Sequence, residues 1–234
     1  MSVSVVIPCY NEEKVIERVV MEYYKGVVNK IDGSEIIVVD GCSKDNTFKI
    51  LQRLKKEFPK LRILQPLCHR NHGADLRMAY ESASKDYVFQ VDGDNQFKAK
   101  DFWKLYKHKD SHDFILGFRE VRHDPAHRLI LSRIVRYANF LLFGVWLKDS
   151  NCPFRLIKRE ILDGLLKLIP EDALAPNIML SVLAKKSGIK MIEVSVIHQP
   201  RRTGSVSIAN WRLIKFSLKG FKQLLKLKGV CDGI

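Results

Sequence analysis

Short apolar runs alternate with longer amphipathic segments along the first half of the chain. The apolar runs, rich in Val, Ile, Leu and aromatic residues, have the composition of buried strands and cover residues 3–7, 35–39, 61–64 and 87–91. Segments with helical periodicity lie between them, at residues 12–24, 44–58 and 74–84. This alternation predicts an α/β fold in which a mostly parallel sheet has helices on both faces.

The second half of the chain has a different hydrophobic pattern, but predicted strands and helices still alternate along it. Residues 113–118 and 190–197 are predicted strands, and residues 128–147 have the pattern of one or two amphipathic helices. Further helices are predicted at residues 160–168, 172–187 and 207–228. Because no internal repeat or linker interrupts the sequence, we expect one domain over residues 1–207 and a C-terminal helix within 208–234.

Three of the predicted strands end in polar clusters. These clusters are PCYNE at residues 8–12, DGCS at residues 40–43 and DGDNQ at residues 92–96. The carboxyl ends of parallel strands meet at one edge of a sheet, and ligands of such folds bind there. We therefore expect the three clusters to converge on one crevice.

The third cluster carries oxygen ligands suited to a divalent cation. An extended backbone places the side chains of Asp92, Asp94 and Gln96 on one side, because side-chain direction alternates from residue to residue. Hard oxygen ligands suit Mg²⁺ or Mn²⁺, and a site with few protein ligands leaves positions for substrate phosphates. A solvated Asp-Gly turn is the alternative interpretation of the same residues.

The charge of the chain favours a polyanionic partner. Lys and Arg number 40 against 26 Asp and Glu, a net charge of +14, which suits nucleic acid, anionic lipid or a phosphorylated substrate. A nucleic-acid-binding protein is the most distant alternative, because the sequence has no recognised nucleic-acid motif. We therefore expect no nucleic-acid partner.

Cysteine usage and hydropathy indicate a compartment. The five cysteines form no CxxC pair, which suits a reducing environment. The longest apolar stretch, residues 140–147, is far shorter than the roughly 20 residues that span a bilayer. We therefore expect a cytoplasmic protein whose membrane contact is peripheral.

The segments VVIPCYNEE, EIIVVDGCSKDNT and DYVFQVDGDNQF, in this order, resemble the nucleotide-binding half of family 2 glycosyltransferases of the GT-A type. That family has one strand ending in P-x-Y-N-E, a second ending in V-D-D-G-S-x-D-x-T, and an aspartate pair that binds metal. The resemblance implies that Asp92 and Asp94 hold Mg²⁺ or Mn²⁺ on the diphosphate of a GDP- or UDP-linked sugar. It also implies a nucleoside pocket formed by Pro8, Tyr10, Glu12 and Asp40.

One loop departs from the family pattern. Gly41 stands where the family has its second aspartate, and Cys42 stands where the family has Gly. The contacts of this loop are therefore open. Asp40 has the alternative role of capping a helix that starts near Ser43.

The segments FILGFRE, HRLILSRIV, LKDSNCPFRLIKREIL and VSVIHQPRRTGSVS are similar to those of dolichyl-phosphate mannosyltransferases and related polyprenyl-phosphate glycosyltransferases. Those enzymes carry G-S-R, R-x-x-x-S, D-x-x-x-x-F-R and R-x-G-x-S in that order. The resemblance implies that Gln96 is a third metal ligand. It further implies phosphate contacts by Arg119, Arg128, Ser132 and Arg202, with Arg201 as the alternative to Arg202.

The activity implied by this resemblance is inverting transfer of a sugar from a nucleoside-diphosphate sugar to a polyprenyl phosphate at the cytosolic membrane face. A lipid phosphate is already anionic, so its attack on the sugar carbon needs cations rather than a general base. A sugar hydroxyl is the alternative acceptor, with Glu171 or Asp172 as the base that takes its proton. The same acidic pair also suits the N-terminal cap of a helix.

The C-terminal segment has two faces at helical spacing. Its apolar residues are Trp211, Ile214, Leu218, Phe221 and Leu225, and its basic residues include Lys215, Lys219, Lys222 and Lys226. A basic amphipathic helix of this kind fits an anchor at a membrane surface or beside a membrane-protein partner. A helix packed on the domain with its lysines in water fits the pattern equally well.

Overall fold

The computed structural model describes residues 1–67, 71–121, 126–200 and 210–231, with residues 126–127 and 210–217 described by backbone alone. Within these residues the strands are β1 (Val3–Cys9), β2 (Glu35–Asp40), β3 (Leu61–Leu64), β4 (Tyr87–Gln90), β5 (Phe114–Arg119), β6 (Arg155–Lys158) and β7 (Met191–Val196). The helices are α1 (Ile16–Gly26), α2 (Thr47–Glu57), α3 (His72–Ser82), α4 (Ala99–Tyr106), α5 (Ala126–Phe143), α6 (Arg159–Leu166), α7 (Pro176–Lys186) and α8 (Asn210–Cys231). A short 3₁₀ helix follows α1 at Val28–Lys30.

The strands form one sheet with the order β3-β2-β1-β4-β6-β5-β7. The pairs β1–β2, β1–β4, β2–β3 and β5–β7 are parallel, whereas β6 runs antiparallel to both of its neighbours. All described strands except β6 therefore end at the same edge of the sheet. The predicted mostly parallel α/β sheet is confirmed.

The centre of the sheet is covered on both faces. Every residue of β1, β2 and β4 is buried, which explains why these strands are nearly continuous apolar runs rather than alternating ones. The ring of Phe89 in β4 meets Phe102 of α4 at 4.9 Å and Phe154 at 4.8 Å, both edge to face. Each such pair contributes roughly 0.5–1.5 kcal/mol beyond the area it buries.

Two elements were not predicted from the pattern of the sequence. β6 is four residues long and begins and ends with the basic residues Arg155 and Lys158, so it contains no clear apolar run. Arg155 is nevertheless fully buried, because its guanidinium donates to the carbonyl oxygens of Ser150, Cys152 and Asn177. The other element, α4, has eight residues and begins three residues after the DGDNQ cluster.

The C-terminal helix α8 has apolar residues on two sides. Leu224, Leu227 and Cys231 join the hydrophobic core, whereas Leu218, Phe221 and Leu225 are exposed. The side chain of Gln223 fixes the helix to the domain, because it accepts from the backbone N–H of Leu174 at 2.9 Å and donates to the carbonyl of Asp172 at 3.2 Å. The described part of α8 is therefore packed on the domain while keeping an apolar outer stripe. Among the described residues no helix is long and apolar enough to cross a bilayer.

A buried carboxylate fixes the edge of the sheet opposite the strand ends. Glu35 accepts hydrogen bonds from Ser4 Oγ at 2.7 Å and from Ser84 Oγ at 2.8 Å, and it pairs with Arg62 at 2.8 Å. Burial opposes ionisation of Glu35, but the hydrogen bonds from Arg62, Ser4 and Ser84 outweigh it and hold the pKa of Glu35 below its usual value. The ionised carboxylate therefore stabilises the folded chain.

We predict that Glu35→Gln lowers the free energy of unfolding by about 1–3 kcal/mol at pH 7. Because the pKa is lower in the folded state, the contribution is present above the unfolded-state pKa of about 4.5 and is lost as pH falls through the folded-state pKa. Urea denaturation from pH 7 to pH 3 measures it. The exposed Glu57, replaced by Gln, is the control and should change stability by less than about 0.5 kcal/mol. A difference between wild type and Glu35→Gln that stays constant across this range would contradict the prediction.

Candidate active site at the carboxyl edge of the sheet

The loops that follow β1 and β2 are joined by reciprocal hydrogen bonds. The N–H of Asn11 donates to Ser43 Oγ at 2.8 Å, and the N–H of Lys44 donates back to Asn11 Oδ1 at 2.8 Å. The N–H of Glu12 donates to Thr47 Oγ1 at 2.9 Å. The first two polar clusters therefore form one unit, as the parallel arrangement of β1 and β2 predicts.

Asp40 lies at the centre of this unit and is fully buried. Its carboxylate accepts from the N–H and the hydroxyl of Ser43 and from Gln65 Nε2 at 2.7 Å. The alternative role as a helix cap is wrong, because α2 begins at Thr47 with Asn46 at the N-cap position. The predicted contact of Asp40 with the nucleoside stays a prediction, as do those of Pro8, Tyr10 and Glu12. Of these, Pro8 and Glu12 are buried, and Tyr10 is partly exposed.

Each of the three loops contains one residue other than glycine in the left-handed region. These residues are Asn11, Cys42 and Asn95, with φ of 55°, 62° and 60°. Asn adopts this conformation more readily than most residues, whereas Cys42 is held in it with its Sγ donating to the carbonyl of Pro66 at 3.1 Å. Such conformations are often found where the fold holds a ligand-binding loop in place.

The third loop packs against the end of β1. The N–H of Gly93 donates to the carbonyl of Pro8 at 3.3 Å, and a Cβ at Gly93 would lie 2.9 Å from Cys9 Cβ. β4 ends at Gln90, and the N–H of Gln96 donates back to Asp94 Oδ1 at 3.2 Å in a turn. The extended backbone assumed for residues 92–96 is therefore wrong, although the loop does reach the predicted edge.

The amide of Gln96 is oriented by the segment that follows β7. Gln96 Nε2 donates to the carbonyl of Gln199 at 3.0 Å, and the N–H of Gln199 donates to the carbonyl of Gln96 at 2.8 Å. With its nitrogen engaged in this way, the side chain presents its oxygen away from Gln199. That orientation fits the predicted role of a neutral oxygen ligand.

Asp92 is a partly exposed acid whose Oδ1 is buried. Burial raises the pKa of Asp92, and the charges of His72 and Arg119 offset part of that rise. Asp92 Oδ1 has no hydrogen-bond partner among the described residues, and His72 Nε2 lies 3.8 Å from it. A buried carboxylate oxygen without a donor is favourable only when a cation or a donor group arrives with the ligand.

The residues at this loop fit a divalent cation that is shared with a substrate. Asp92, Asp94 and Gln96 offer only oxygen atoms, the donors that Mg²⁺ and Mn²⁺ prefer. Within the described ranges, no group of three or more His, Cys, Asp and Glu side chains forms a complete metal site by itself. The assignment of these three residues as metal ligands stays a prediction.

Arg119 reaches the same edge at the end of β5. Its Nε and Nη2 donate to the two carboxylate oxygens of Asp149 at 2.6 and 3.0 Å, and both side chains are about nine-tenths buried. This bidentate pair fixes the plane of the guanidinium. Asp149 was not among the predicted site residues, although it is the first residue of the D-x-x-x-x-F-R element in the sequence.

The remaining predicted phosphate contacts lie farther along the chain. Arg128 and Ser132 are on α5, on the same side as the buried Asn139, and Ser132 Oγ donates to the carbonyl of Arg128 at 2.9 Å. Arg202, like its alternative Arg201, lies outside the described residues. The phosphate contacts proposed for all of these side chains stay predictions.

The acidic pair predicted as the base for a sugar hydroxyl acceptor is on the surface. Glu171 and Asp172 are exposed, and Asp172 lies 3.8 Å from Lys219 of α8. The idea that this pair caps a helix is wrong, because α7 begins at Pro176 with Ala175 at the N-cap position. His72, the first residue of α3, is an exposed histidine whose Nε2 lies 3.8 Å from Asp92 Oδ1.

Comparison with known families agrees with this geometry. The sequence profile described as glycosyl transferase family 2 matches residues 4–166, which include all three strand-end loops. The chain belongs to glycosyl transferase family 2.

Curated relatives extend the similarity beyond the matched region. Undecaprenyl-phosphate 4-deoxy-4-formamido-L-arabinose transferase from Pectobacterium atrosepticum is 28% identical over 217 residues, or 91% of this chain and 64% of the relative. The chain thus spans less than two thirds of the length of that enzyme. An uncharacterised protein from Methanocaldococcus jannaschii is 30% identical over 204 residues, or 80% of this chain and 84% of the relative.

Solved structures confirm the fold. Glucosyl-3-phosphoglycerate synthase from Mycobacterium tuberculosis, in complex with phosphoglyceric acid, superposes with a TM-score of 0.72 at 19% identity, over 97% of this chain and 80% of that one. Its complex with Mn²⁺ and uridine-diphosphate-glucose gives a TM-score of 0.70 at 18% identity, over 97% and 79%. The predicted GT-A architecture is therefore confirmed.

We predict strong energetic coupling between Arg119 and Asp149. Replacing either residue by Ala should lower the free energy of unfolding by about 3–5 kcal/mol, because a buried charge loses its partner. The double replacement should cost less than the sum, with a coupling energy of at least about 2 kcal/mol. Urea denaturation of the four proteins measures it.

The ion pair between Arg53 and Glu17 is a matched control. Its atoms are as close, at 2.6 Å, but both side chains are about half exposed. We expect a coupling energy of about 0–1 kcal/mol there. If the two pairs had equal coupling energies, burial would not strengthen the interaction between Arg119 and Asp149, and the prediction would be wrong.

Proposed function

We propose that the protein transfers a sugar, with inversion at the anomeric carbon, from a nucleoside-diphosphate sugar to a polyprenyl phosphate. The proposal rests on one observation. Hydrogen bonds join three strand-end loops at one edge of the sheet, in a chain of glycosyl transferase family 2. The lipid acceptor is supported by the name of the undecaprenyl-phosphate relative. The sugar nucleotide is supported by the uridine-diphosphate-glucose complex of the structural neighbour.

The proposed reaction exchanges one bond at the anomeric carbon for another. An oxygen of the acceptor phosphate forms a bond to that carbon, and the bond from the carbon to the donor diphosphate breaks, so that the nucleoside diphosphate leaves with the electron pair. Since the acceptor is anionic before it attacks, no proton has to be removed by the protein. The work left to the protein is to bring two anions together and to stabilise the charge on the leaving group.

Residues of this chain are suited to both tasks. Asp92, Asp94 and Gln96 would hold Mg²⁺ or Mn²⁺, which supplies charge stabilisation to the leaving diphosphate when bound. Arg119, oriented by Asp149, presents a guanidinium of fixed plane, the geometry that phosphate oxygens match. Arg128, Ser132 and Arg202 are proposed as further phosphate contacts.

A lipid acceptor requires a surface that binds a membrane, and an exposed apolar side of α5 is suited to that role. Its side opposite Arg128 and Ser132 is an exposed apolar stripe formed by Ile130, Ile134, Tyr137, Phe140 and Leu141. The exposed Trp146 adds to this stripe, with its ring 5.8 Å from Tyr137 and 5.9 Å from Phe140. Contiguous exposed apolar surface of this kind marks a site of protein or membrane contact.

The charges around the stripe favour an anionic membrane over a second copy of the chain. Neither α5 nor α8 contains an acidic residue, and the two helices contact each other. Arg133 on α5 and Lys222 and Lys226 on α8 are exposed. Pairing two such surfaces would bring like charges together, whereas anionic lipid headgroups complement them. We propose peripheral binding at the cytosolic face, with or without a membrane-protein partner.

Transfer to a sugar hydroxyl remains the second candidate, because Glu171 and Asp172 are accessible acids. That reaction needs a base, so its rate would fall as pH drops below the pKa of the acid concerned, and replacing both acids would abolish it. Transfer to a lipid phosphate would survive both replacements. An assay of Glu171→Gln/Asp172→Asn at several pH values separates the two acceptors.

We predict metal-dependent transfer to polyprenyl phosphate, lost in Asp94→Ala. Removing a carboxylate ligand weakens stabilisation of the leaving diphosphate, so kcat/KM should fall at least about a hundredfold. The measurement is chloroform-extractable labelled product from a panel of UDP- and GDP-sugars, with and without Mn²⁺. Asp110→Ala, at an exposed acid away from the site, is the control and should keep full activity.

Products confined to the aqueous phase would instead favour the hydroxyl acceptor. Full metal-dependent activity of Asp94→Ala would exclude Asp94 as a metal ligand.

We predict that the chain binds vesicles containing anionic phosphatidylglycerol more tightly than vesicles of phosphatidylcholine alone. The double variant Ile134→Ser/Leu141→Ser should weaken this binding at least about tenfold, because two apolar side chains no longer enter the interface. Co-sedimentation at low and high salt measures it, and Leu168→Ser is the control at an exposed leucine outside both helices.

The vesicles contain no acceptor, so this result is independent of catalysis. Unchanged vesicle binding in the double variant would exclude α5 as the membrane surface. A change in oligomeric state without a change in vesicle binding would assign the stripe to a second copy of the chain.

A further inference from the structure

A carboxylate from α3 occupies the place of the side chain that is missing at position 41. Gly41 stands where the resembled pattern has its second aspartate. A Cβ added to Gly41 would lie 2.5 Å from Asp75 Oδ2, closer than real Cβ contacts allow, and 3.3 Å from Asp75 Cγ. Asp75 thus fills the space into which a side chain at position 41 would project.

The position of Asp75 is fixed by the first turn of α3. Asn71 caps this helix, because its Oδ1 accepts from the N–H of Ala74 at 3.0 Å, and its carbonyl accepts from the N–H of Asp75 at 3.2 Å. Gly73 lies so close to the carbonyl of Ala173 that a Cβ there would be 2.0 Å from the oxygen. The helix start is therefore packed closely against residue 173, and Asp75 is 4% exposed.

Asp75 belongs to the same group of charges as the predicted nucleoside-binding acids. Burial raises the pKa of the Cys9 thiol, and the carboxylates of Asp40, Glu12 and Asp75 raise it further. These acids therefore surround the end of β1. An acid in the first turn of a helix stabilises the helix dipole just as well when it is exposed, so that role does not explain why Asp75 is buried against Gly41.

We propose that Asp75 supplies the second carboxylate of the nucleotide pocket in place of the aspartate that is absent at position 41. The ligand it serves is a nucleoside diphosphate, whose ribose hydroxyls and base N–H groups are donors for a carboxylate. The proposal rests on the proposed function, since it assigns a residue to the same donor site. It also explains why the pocket would keep a second acid although Gly41 stands where the family pattern has an aspartate.

Moving the carboxylate from position 75 to position 41 tests the proposal. Asp75→Ala should weaken binding of the cognate nucleotide about tenfold or more, because a charged acceptor is lost. Gly41→Asp should weaken it as well, because the new side chain collides with Asp75. The double variant Gly41→Asp/Asp75→Ala should recover affinity to within about threefold of wild type, because the carboxylate returns to the vacated space. Isothermal titration with UDP and with GDP, in the presence of Mn²⁺, measures all four proteins.

Asp75→Asn serves as the isosteric variant. It keeps the shape of the side chain, so it should fold as wild type does but bind nucleotide as weakly as Asp75→Ala. Wild-type affinity in Asp75→Asn or Asp75→Ala would overturn the proposal, as would additive losses in the double variant. Thermal denaturation identifies any variant that fails to fold, and the Asp75→Asn result decides the question if Gly41→Asp is such a variant. If wild type binds neither nucleotide, the proposed function itself fails, which is a different outcome.

Discussion

Two backbone carbonyls at the end of β1 hold the candidate site together. The carbonyl of Cys9 accepts from the N–H of Gly41 on one side, and the carbonyl of Pro8 accepts from the N–H of Gly93 on the other. Because β1 lies between β2 and β4, these two bonds bring the loops of both neighbouring strands against a single strand end. Both donors are glycines, since a Cβ at either position would meet Asp75 or Cys9 at less than 3.0 Å. Backbone hydrogen bonds therefore fix the positions of the loops, and the acidic side chains on these loops are positioned with them.

The candidate site is rich in acidic side chains, although the protein as a whole is basic. The chain has a net charge of +14, yet the acids Glu12, Asp40, Asp75 and Asp92 are concentrated around one strand end, and burial raises the pKa of Asp92. Such a group of acids is stable when a cation or hydrogen-bond donors compensate it. Basic residues on α5 and α8 form a separate group, which attracts anions from outside.

Much of the fold follows from the sequence because the central strands are covered on both faces and hence read as continuous apolar runs. The convergence of the three polar clusters follows from the same topology, because parallel strands end at one edge. β6 could not be found in this way, because Arg155 is buried by hydrogen bonds to carbonyls rather than by apolar character. The geometry of Asp92 and Asp94 was inferred from an extended backbone, whereas the chain turns at Gly93. Asp75 and Asp149 act across the fold, so no local spacing in the sequence indicates their contacts.

The reversed direction of β6 has a consequence for how such proteins can diverge. β6 is paired with β4 on one side and β5 on the other, so it separates the strands whose loops meet at the end of β1 from β5, which carries Arg119, and from β7. Residues 144–154 lead into this strand from the edge of the site and include Asp149. Insertions or replacements in that connection would reshape the surface beside Arg119 while leaving the hydrogen bonds between the first two loops intact. The two sides of this edge of the sheet can therefore change independently of each other during evolution.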